Sequence, residues 1–273
     1  MGGGCRPQQI PGLVLEGMPT KKELGQHWLH DRDTLAAIVL DAGVEVGDEV
    51  LEIGPGLGTL TSELFRHGAK VTAVEYDSDL ARKLPGQFPG KDLKVQNQDI
   101  LKFDLDTMPK GYKVVANVPY YITSKIVEML VLAKNKPSIA VLLVQKEVAE
   151  RISAKPGDMS LLALNAQIYT QTKLGAYVPR ELFTPPPKVD SQVVVLKFLD
   201  KPLVNSQDEK LFWRVARAGF SEKRKKLRSR ISAGLRISKP AAEELLLNAG
   251  INPDSRAQDL SLTDWLRLSK ESK

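Results

Sequence analysis

Residues 51–61 read LEIGPGLGTLT, and this stretch decides the fold. The apolar run Glu49–Ile53 leads directly into glycines at positions 54, 56 and 58, and a helical pattern begins at Thr59. Glycines between a strand and a helix let the backbone approach a ligand closely, and they direct the amino terminus of the helix towards it. The stretch therefore predicts the first strand, turn and helix of a ligand-binding α/β sheet.

Apolar runs alternate with helical patterns through the first part of the chain. The predicted strands are Glu49–Ile53, Lys70–Glu75, Leu93–Gln96, Lys113–Asn117 and Ile139–Val144. The predicted helices between them include Thr59–His67, Ser78–Leu84 and Ser124–Ala133. This alternation favours a parallel, doubly wound, Rossmann-like sheet. Two later runs, Leu174–Val178 and Gln192–Leu199, are predicted to complete the sheet as an antiparallel pair.

The β pattern stops after Asn205, and a small all-helical domain is predicted to follow. Its helices are expected at Asp208–Phe220, Lys223–Gly234, Lys239–Ala249 and Leu260–Ser269. The predicted domains are thus residues 18–203 and residues 204–273. Residues 1–17 are glycine-rich and lack periodicity, so we expect a disordered leader or a non-native extension.

The composition is that of a globular protein. Of 273 residues, 42% are apolar and 26% are charged, which argues against a disordered chain. A single cysteine, Cys5, excludes an internal disulfide and a cysteine-rich zinc site. The three histidines are scattered, so no metal site is expected. No apolar stretch approaches the ~20 residues that span a bilayer, and no signal peptide is evident. We expect a cytoplasmic monomer with no membrane contact.

The net charge of +6 lies entirely in the last quarter of the chain. Residues 200–273 carry 16 basic and 10 acidic residues, whereas residues 1–199 carry 23 of each. Six of the eight residues from Lys223 to Arg230 are cations. Such asymmetry indicates a polyanionic partner, most often a nucleic acid. A solvated helix face is an equally good interpretation of the charge cluster alone.

Acidic residues follow three successive predicted strands and indicate a nucleoside site. Glu75 ends the second strand, where it can bind both hydroxyls of a ribose, and Asp99 follows the third, where it can accept from an adenine amine. Thr59 stands where a dinucleotide fingerprint needs glycine or alanine. Glu52 would be a poor neighbour for a pyrophosphate and suits a cationic ligand with an amino-acid part. S-adenosylmethionine therefore fits better than NAD. For any one of these acids alone, a helix cap or a solvated loop charge is the favoured interpretation, and it is the three together that indicate the site.

The fourth strand ends in the sequence Asn117-Val118-Pro119-Tyr120, which suits methylation of a base amine. The exocyclic nitrogen of adenine is a poor nucleophile because its lone pair is delocalised into the ring. Hydrogen bonds to the Asn117 oxygen and to a backbone carbonyl would favour a pyramidal nitrogen, and Tyr120 could stack on the base. The alternative interpretation is a turn with a half-buried tyrosine.

Together these motifs resemble the KsgA-type small-subunit ribosomal RNA adenine dimethyltransferases. The resemblance runs from Lys21 to the C-terminus. Residues 22–29 are similar to the family's N-terminal motif, 51–61 to its cofactor loop, 117–120 to its catalytic motif, 181–191 to its second substrate loop, and 220–230 to the start of its RNA-binding helices. Two departures are Trp28, where phenylalanine is usual, and a short segment at residues 155–160.

The resemblance implies a Rossmann-like, S-adenosylmethionine-dependent enzyme that dimethylates N6 of two adjacent adenosines near the 3′ end of small-subunit rRNA during ribosome biogenesis. The implied cofactor contacts are His27, Leu29, Gly54, Gly56, Glu75, Asp99 and Asn117. The implied catalytic residues are Asn117, Val118, Pro119, Tyr120 and Phe183, with Phe183 facing the target base opposite Tyr120. The expected partner is the rRNA of a small-subunit assembly intermediate, bound through Lys223, Arg224, Lys226, Arg228 and Arg230.

Two other functions stay open from the sequence. A related large-subunit rRNA dimethyltransferase of the antibiotic-resistance type would share the chemistry, although the proline-rich loop before Ser191 favours the small-subunit type. A non-catalytic RNA-binding assembly factor would keep the fold alone, and the intact motif at residues 117–120 argues against it.

Overall fold

A computed structural model describes residues 27–222 and 225–273. The strands of this part of the chain are β1 (Trp28–Leu29), β2 (Glu49–Ile53), β3 (Lys70–Glu75), β4 (Leu93–Asn97), β5 (Lys113–Asn117), β6 (Ile139–Gln145), β7 (Thr170–Val178), β8 (Phe183–Thr184) and β9 (Ser191–Phe198). The α-helices are α1 (Arg32–Asp41), α2 (Thr59–Arg66), α3 (Ser78–Gln87), α4 (Thr123–Leu132), α5 (Lys146–Ile152), α6 (Leu161–Gln167), α7 (Glu209–Gly219), α8 (Leu227–Leu235), α9 (Lys239–Asn248) and α10 (Leu262–Glu271).

Seven strands form one sheet in the order β4-β3-β2-β5-β6-β9-β7. Strand β2 pairs in parallel with β3 on one side and β5 on the other, and β9 pairs antiparallel with β6. The predicted Rossmann-like sheet is confirmed. The strand order reverses beside β2, and ligands of such sheets bind at the carboxyl ends of the strands at that point.

The central strands have the burial that a covered parallel sheet requires. Four of the five residues of β2 are buried, and so are the apolar residues of β5 and the run Ala140–Val144 of β6. Strands buried on both faces read as continuous apolar runs, which is why their bounds could be predicted closely. Strand β7 begins at Thr170, four residues before the predicted start at Leu174. These four residues are polar, so the apolar pattern did not include them in the predicted strand.

A second, two-stranded sheet pairs β1 with β8. Trp28 lies opposite Thr184, and Leu29 lies opposite Phe183, so a stretch near the start of the described chain is joined to the loop before β9. Strands of two residues carry no periodic pattern, and this pair was not predicted.

The described residues form two compact units. One comprises the residues up to Ala149 with Thr172–Phe198, and the other comprises Glu150–Gln171 with Leu199–Lys273. The second unit therefore includes Glu150–Gln171, which the prediction placed in the α/β domain of residues 18–203. Within this unit the Leu203 N–H donates to the Ile168 carbonyl at 2.9 Å, and the Gly157 N–H donates to the Gln258 carbonyl at 2.9 Å. Residues 1–17, the predicted leader, lie outside the described residues.

The predicted helix over the basic run begins later than expected. Helix α8 begins at Leu227, and Lys226 precedes it in extended backbone with φ −63° and ψ 144°. A row of cations in the first turn would oppose the partial positive charge of a helix amino terminus. The predicted helix is therefore wrong at Lys225 and Lys226, which precede α8. Lys223 and Arg224 lie outside the described residues. Among the helices of the described chain, none is long and apolar enough to cross a bilayer.

Candidate active site

A pocket lies at the carboxyl ends of β2, β3 and β5, where the strand order predicts a ligand. Nine of the predicted site residues line it: His27, Leu29, Gly54, Gly56, Glu75, Asn117, Val118, Pro119 and Tyr120. The aromatic residues Trp28, Tyr76 and Tyr121 also line the pocket, although no role in the site was predicted for them. Tyr76 and Tyr121 are 63% and 65% exposed, so both rings are accessible to a ligand at the pocket.

Two predicted residues are not on the pocket wall. Asp99 follows β4, and its side chain accepts the Leu101 N–H at 3.0 Å. Phe183 is 2% exposed and belongs to the same apolar cluster as Leu29 and Val193. Its expected position facing a target base is therefore not observed, because its place in β8 directs the ring into the core.

The turn after β2 requires glycine at defined positions. Gly56 and Gly58 have φ of +58° and +78°, a region that other residues rarely adopt. A Cβ at Gly58 would lie 2.9 Å from side-chain atoms of Leu84 and Phe88, so the turn also packs closely on α3. Gly58 is the N-cap of α2 and offers no side-chain cap. The first amides of α2 consequently stay available to a ligand.

The Glu75 carboxylate is fixed by backbone amides at the tip of β3. It accepts the Asp77 N–H at 2.8 Å and the Gly56 N–H at 3.1 Å, so it joins the strand tip to the glycine turn. Burial raises the pKa of this carboxyl, and the two amide hydrogen bonds act in the opposite direction. The side chain is thus a preorganised acceptor at the position predicted for a ribose.

Glu52 is a buried acid whose pairing is incomplete. It is 1% exposed, and one oxygen accepts the Thr61 hydroxyl at 2.6 Å. The other oxygen, Oε1, has no hydrogen-bond partner among the described residues. Burial raises the pKa of Glu52 to about 8, and the negative charge of Glu75 contributes in the same direction. Because Glu52 also lines the pocket, a cation bound there would supply the missing partner.

The raised pKa of Glu52 predicts a pH dependence of stability. The folded protein holds the proton more tightly than the unfolded chain, so the stabilisation is complete below the ordinary pKa of 4.5 and is lost as the pH rises through about 8. In the absence of ligand, the free energy of unfolding should fall by a few kcal/mol across this window, at about 1.4 kcal/mol per pKa unit. Glu52→Gln should flatten the fall, as denaturant titrations from pH 4.5 to pH 8 can measure. Equal slopes in both proteins would contradict the assignment.

The Asn117 amide has a defined orientation. Its Nδ2 donates to the His27 backbone carbonyl at 3.1 Å, so the side-chain oxygen is left as an acceptor within the pocket lining. The His27 ring is held in turn, because its Nδ1 lies 2.8 Å from the Pro185 carbonyl and must donate to it. The β1–β8 pair thereby fixes the His27 carbonyl, the partner of Asn117, next to the turn that follows β5.

The Tyr120 ring is held at its edge and on one face. Its hydroxyl lies 2.6 Å from the hydroxyl of Ser191, a fully buried residue at the start of β9. The His27 ring stacks on it with 6.0 Å between the ring centres and an interplanar angle of 21°. Burial raises the pKa of Tyr120, so the phenol stays protonated at neutral pH. Such an aromatic plane beside an amide acceptor suits a flat heterocycle.

The fold and this pocket define a Rossmann-like methyltransferase. Two solved structures share the architecture. A dimethyladenosine transferase from Plasmodium falciparum matches with a TM-score of 0.76 and 28% identity, over 89% of this chain and 96% of that chain. The 23S rRNA methyltransferase ErmE matches with a TM-score of 0.75 and 29% identity, over 89% of this chain and 98% of that chain.

Within this class, the chain belongs to the ribosomal RNA adenine dimethylase family, whose sequence profile matches residues 17–273. A protein named ribosomal RNA small subunit methyltransferase A from Dehalococcoides mccartyi is 41% identical over 264 residues, which cover 94% of this chain and 91% of that protein. A protein of the same name from Lactobacillus delbrueckii subsp. bulgaricus is 40% identical over 267 residues, with coverages of 92% and 90%. The family resemblance seen in the sequence is confirmed.

Proposed function

We propose that the protein transfers methyl groups from S-adenosylmethionine to N6 of two adjacent adenosines near the 3′ end of small-subunit rRNA during ribosome assembly. The observation that carries the proposal is the orientation of Asn117, whose free oxygen lies in the same pocket as the Tyr120 ring. The names of the relatives at 40–41% identity favour the small subunit over the large one.

The residues of the pocket fit the proposed cofactor. When bound, S-adenosylmethionine supplies a methyl group activated on a sulfonium. Glu75 would accept from the ribose hydroxyls, since its carboxylate is already held at the strand tip by two amides. The unpaired oxygen of Glu52 fits the cationic amino-acid part. Asp99 lies beyond the pocket wall, and its Oδ1 accepts the Leu101 N–H. Its second oxygen is proposed to accept from the adenine amine, with His27, Leu29, Gly54 and Gly56 completing the contacts.

Asn117 and Tyr120 would prepare the target nitrogen for methylation. The Asn117 oxygen accepts an N–H of the adenine amine, which favours a pyramidal nitrogen with an available lone pair. Tyr120 stacks on the base and fixes its plane, since Ser191 and His27 hold the ring. No strong general base is needed, because the nitrogen becomes acidic once the methyl group is attached. Positioning and electrostatics therefore supply most of the catalysis, and Val118 and Pro119 shape the turn.

Phe183 has a supporting role in this proposal instead of the expected contact with the base. It lies opposite Leu29 in the β1–β8 pair and is buried in the core. The pair carries the segment that includes His27, whose backbone carbonyl accepts from Asn117. Phe183 thus positions the amide of Asn117 through β1.

The rRNA is proposed to contact the basic run of Lys223, Arg224, Lys226, Arg228 and Arg230. Three of these cations are paired with carboxylates within the chain: Lys226 with Asp254 at 2.9 Å, Arg228 with Asp254 at 3.4 Å, and Arg230 with Glu222. Exposed ion pairs are worth little. Phosphates could therefore replace Asp254, the partner of the more exposed Lys226 and Arg228, at small cost when RNA binds. The side chain of Arg230 is only 17% exposed.

The remaining elements of the proposal concern the setting. The partner is proposed to be a small-subunit assembly intermediate, the protein is proposed to act as a monomer, and its location is proposed to be the cytoplasm. The ribosomal partner is supported by the family description and by the names of the relatives, whereas the monomer and the location are the expectations from the sequence.

Substrate choice tests the proposed function. The protein is incubated with tritium-labelled S-adenosylmethionine and with small or large ribosomal subunits from cells that lack the modification. We expect label in small-subunit rRNA only. Label in large-subunit rRNA would indicate the resistance-type enzyme, and cofactor binding without any transfer would indicate a non-catalytic assembly factor.

A further inference from the structure

Helix α7 has an exposed face made only of cations. Its exposed residues are Lys210, Arg214 and Arg217, and all its other residues are buried or half-buried. Spacings of four and three residues place the three side chains on one stripe of the helix. None of the three residues belongs to the basic run of residues 223–230.

The stripe differs from the basic run in its pairing. Among the described residues none of them forms an ion pair, in contrast to the paired cations of the basic run. The Arg214 guanidinium donates to the Leu235 carbonyl at 3.1 Å, and that of Arg217 donates to the Trp213 carbonyl at 3.1 Å. These bonds hold the side chains in place and leave other N–H groups free, since a guanidinium has five.

In the described chain the neighbouring acid, Glu209, forms no ion pair with the stripe. Glu209, the first residue of α7, accepts the hydroxyl of Tyr169. Like charges four residues apart destabilise a helix, and Lys210 in the first turn opposes the helix dipole. If the face served only to keep the protein soluble, a mixture of acidic and basic residues would do so at a lower cost in helix stability. The arrangement therefore indicates an anionic ligand.

A fourth cation adjoins the stripe. Arg236 follows α8, is exposed, and is the one described non-glycine residue with a positive φ, at 59°. Glycine or asparagine is usual at such a helix end, so an arginine there is unfavourable for the backbone. Its neighbour Leu235 provides the carbonyl that holds Arg214, which places Arg236 at the edge of the same face.

We infer that Lys210, Arg214, Arg217 and Arg236 form a face that binds backbone phosphates of the rRNA. The inference rests on the proposed rRNA substrate and adds a contact surface that neither the basic run nor the pocket supplies. Arg214 and Arg217 are held by carbonyls, and in the described part of the chain none of the four cations has to release a carboxylate. They therefore bind phosphates without the exchange that the basic run requires. Phosphate contacts fix the position of an RNA and do not read its sequence.

The test compares the salt dependence of small-subunit binding in two triple variants of equal charge. Lys210→Gln, Arg214→Gln and Arg217→Gln together should lower affinity at least tenfold at moderate salt. The slope of log K against log salt concentration should fall by roughly 2 to 3, because each phosphate that a cation neutralises contributes about 0.7 to 0.9 to it. The matched control, Lys94→Gln with Lys110→Gln and Lys134→Gln, should keep the wild-type slope. Affinity for S-adenosylmethionine should be the same in all three proteins.

A second variant, in which lysine and arginine are exchanged at the three positions, separates phosphate binding from folding. It is needed because Arg214 and Arg217 also donate to backbone carbonyls, and their loss could alter the folded structure. Lys210→Arg with Arg214→Lys and Arg217→Lys should restore most of the slope. An unchanged slope in the glutamine variant, or an equal fall in the control, would overturn the inference. The inference would also be overturned if the glutamine variant lost affinity for small subunits but bound protein-free small-subunit rRNA as the wild-type protein does. The partner of the stripe would then be an acidic protein. Failure of the wild-type protein to methylate small subunits would instead refute the proposed function.

Discussion

Replacement of Asn117 with alanine is expected to reduce methyl transfer by at least about 10²-fold, the loss typical of removing one preorganised polar group at a reacting centre. The acceptor oxygen disappears, and the His27 carbonyl loses its donor at 3.1 Å. The β1–β8 pair and the central sheet do not depend on this side chain, so the folded structure should persist. Single-turnover transfer to small subunits measures the effect, and a thermal melt checks the fold.

Asn117→Asp separates the two functions of the amide. Aspartate keeps an acceptor oxygen for the adenine amine but cannot donate to the His27 carbonyl. It should therefore retain more activity than the alanine variant. Full methyl transfer by Asn117→Ala would exclude the residue from catalysis, whatever the aspartate variant does.

Replacement of Glu75 with alanine is expected to weaken S-adenosylmethionine binding by about 1.5–3 kcal/mol, the range for hydrogen bonds to a charged group. This corresponds to a dissociation constant roughly 10 to 150 times higher. The change also frees the Gly56 N–H and loosens the glycine turn, whose contact with the carboxylate is 3.1 Å long. Isothermal titration calorimetry measures the dissociation constant.

Glu49→Ala is the matched control for this experiment. Glu49 begins β2 at the opposite end of the sheet, where its carboxylate pairs with Lys70 at 3.6 Å. It should leave cofactor affinity unchanged. Equal affinities in the wild-type protein and in Glu75→Ala would remove Glu75 from the site.

The sequence predicts the central sheet closely because each strand and helix there follows from the pattern of its own residues, and the same strand–helix pattern repeats along the chain. Strands β2, β3 and β5 have the predicted bounds, since each is a short segment rich in valine and other apolar residues that leads into a turn. The glycine turn and the acid after β3 follow a spacing set by the strand–turn–helix geometry, and both lie in the pocket. Nine predicted site residues could therefore be placed without coordinates.

The rest depends on contacts between distant parts of the chain. Nothing in the sequence near Phe183 indicates that it pairs with Leu29 and turns into the core. The sequence around Tyr120 likewise does not indicate that its hydroxyl forms a hydrogen bond with the hydroxyl of Ser191, 71 residues away. The helical spacing of Lys210, Arg214 and Arg217 is readable from the sequence, but their lack of carboxylate partners is visible only in the folded unit.

The most direct test of the proposed function is to map the methylated nucleotides. Small subunits that lack the modification are incubated with the protein and S-adenosylmethionine, and nuclease fragments of their rRNA are analysed by mass spectrometry. The proposal predicts N6,N6-dimethyladenosine at two adjacent positions near the 3′ end, with four methyl groups per subunit, and about 10²-fold slower formation with Asn117→Ala. Methylation of another nucleotide or of another atom, or equal rates in the wild-type protein and in Asn117→Ala, would contradict it.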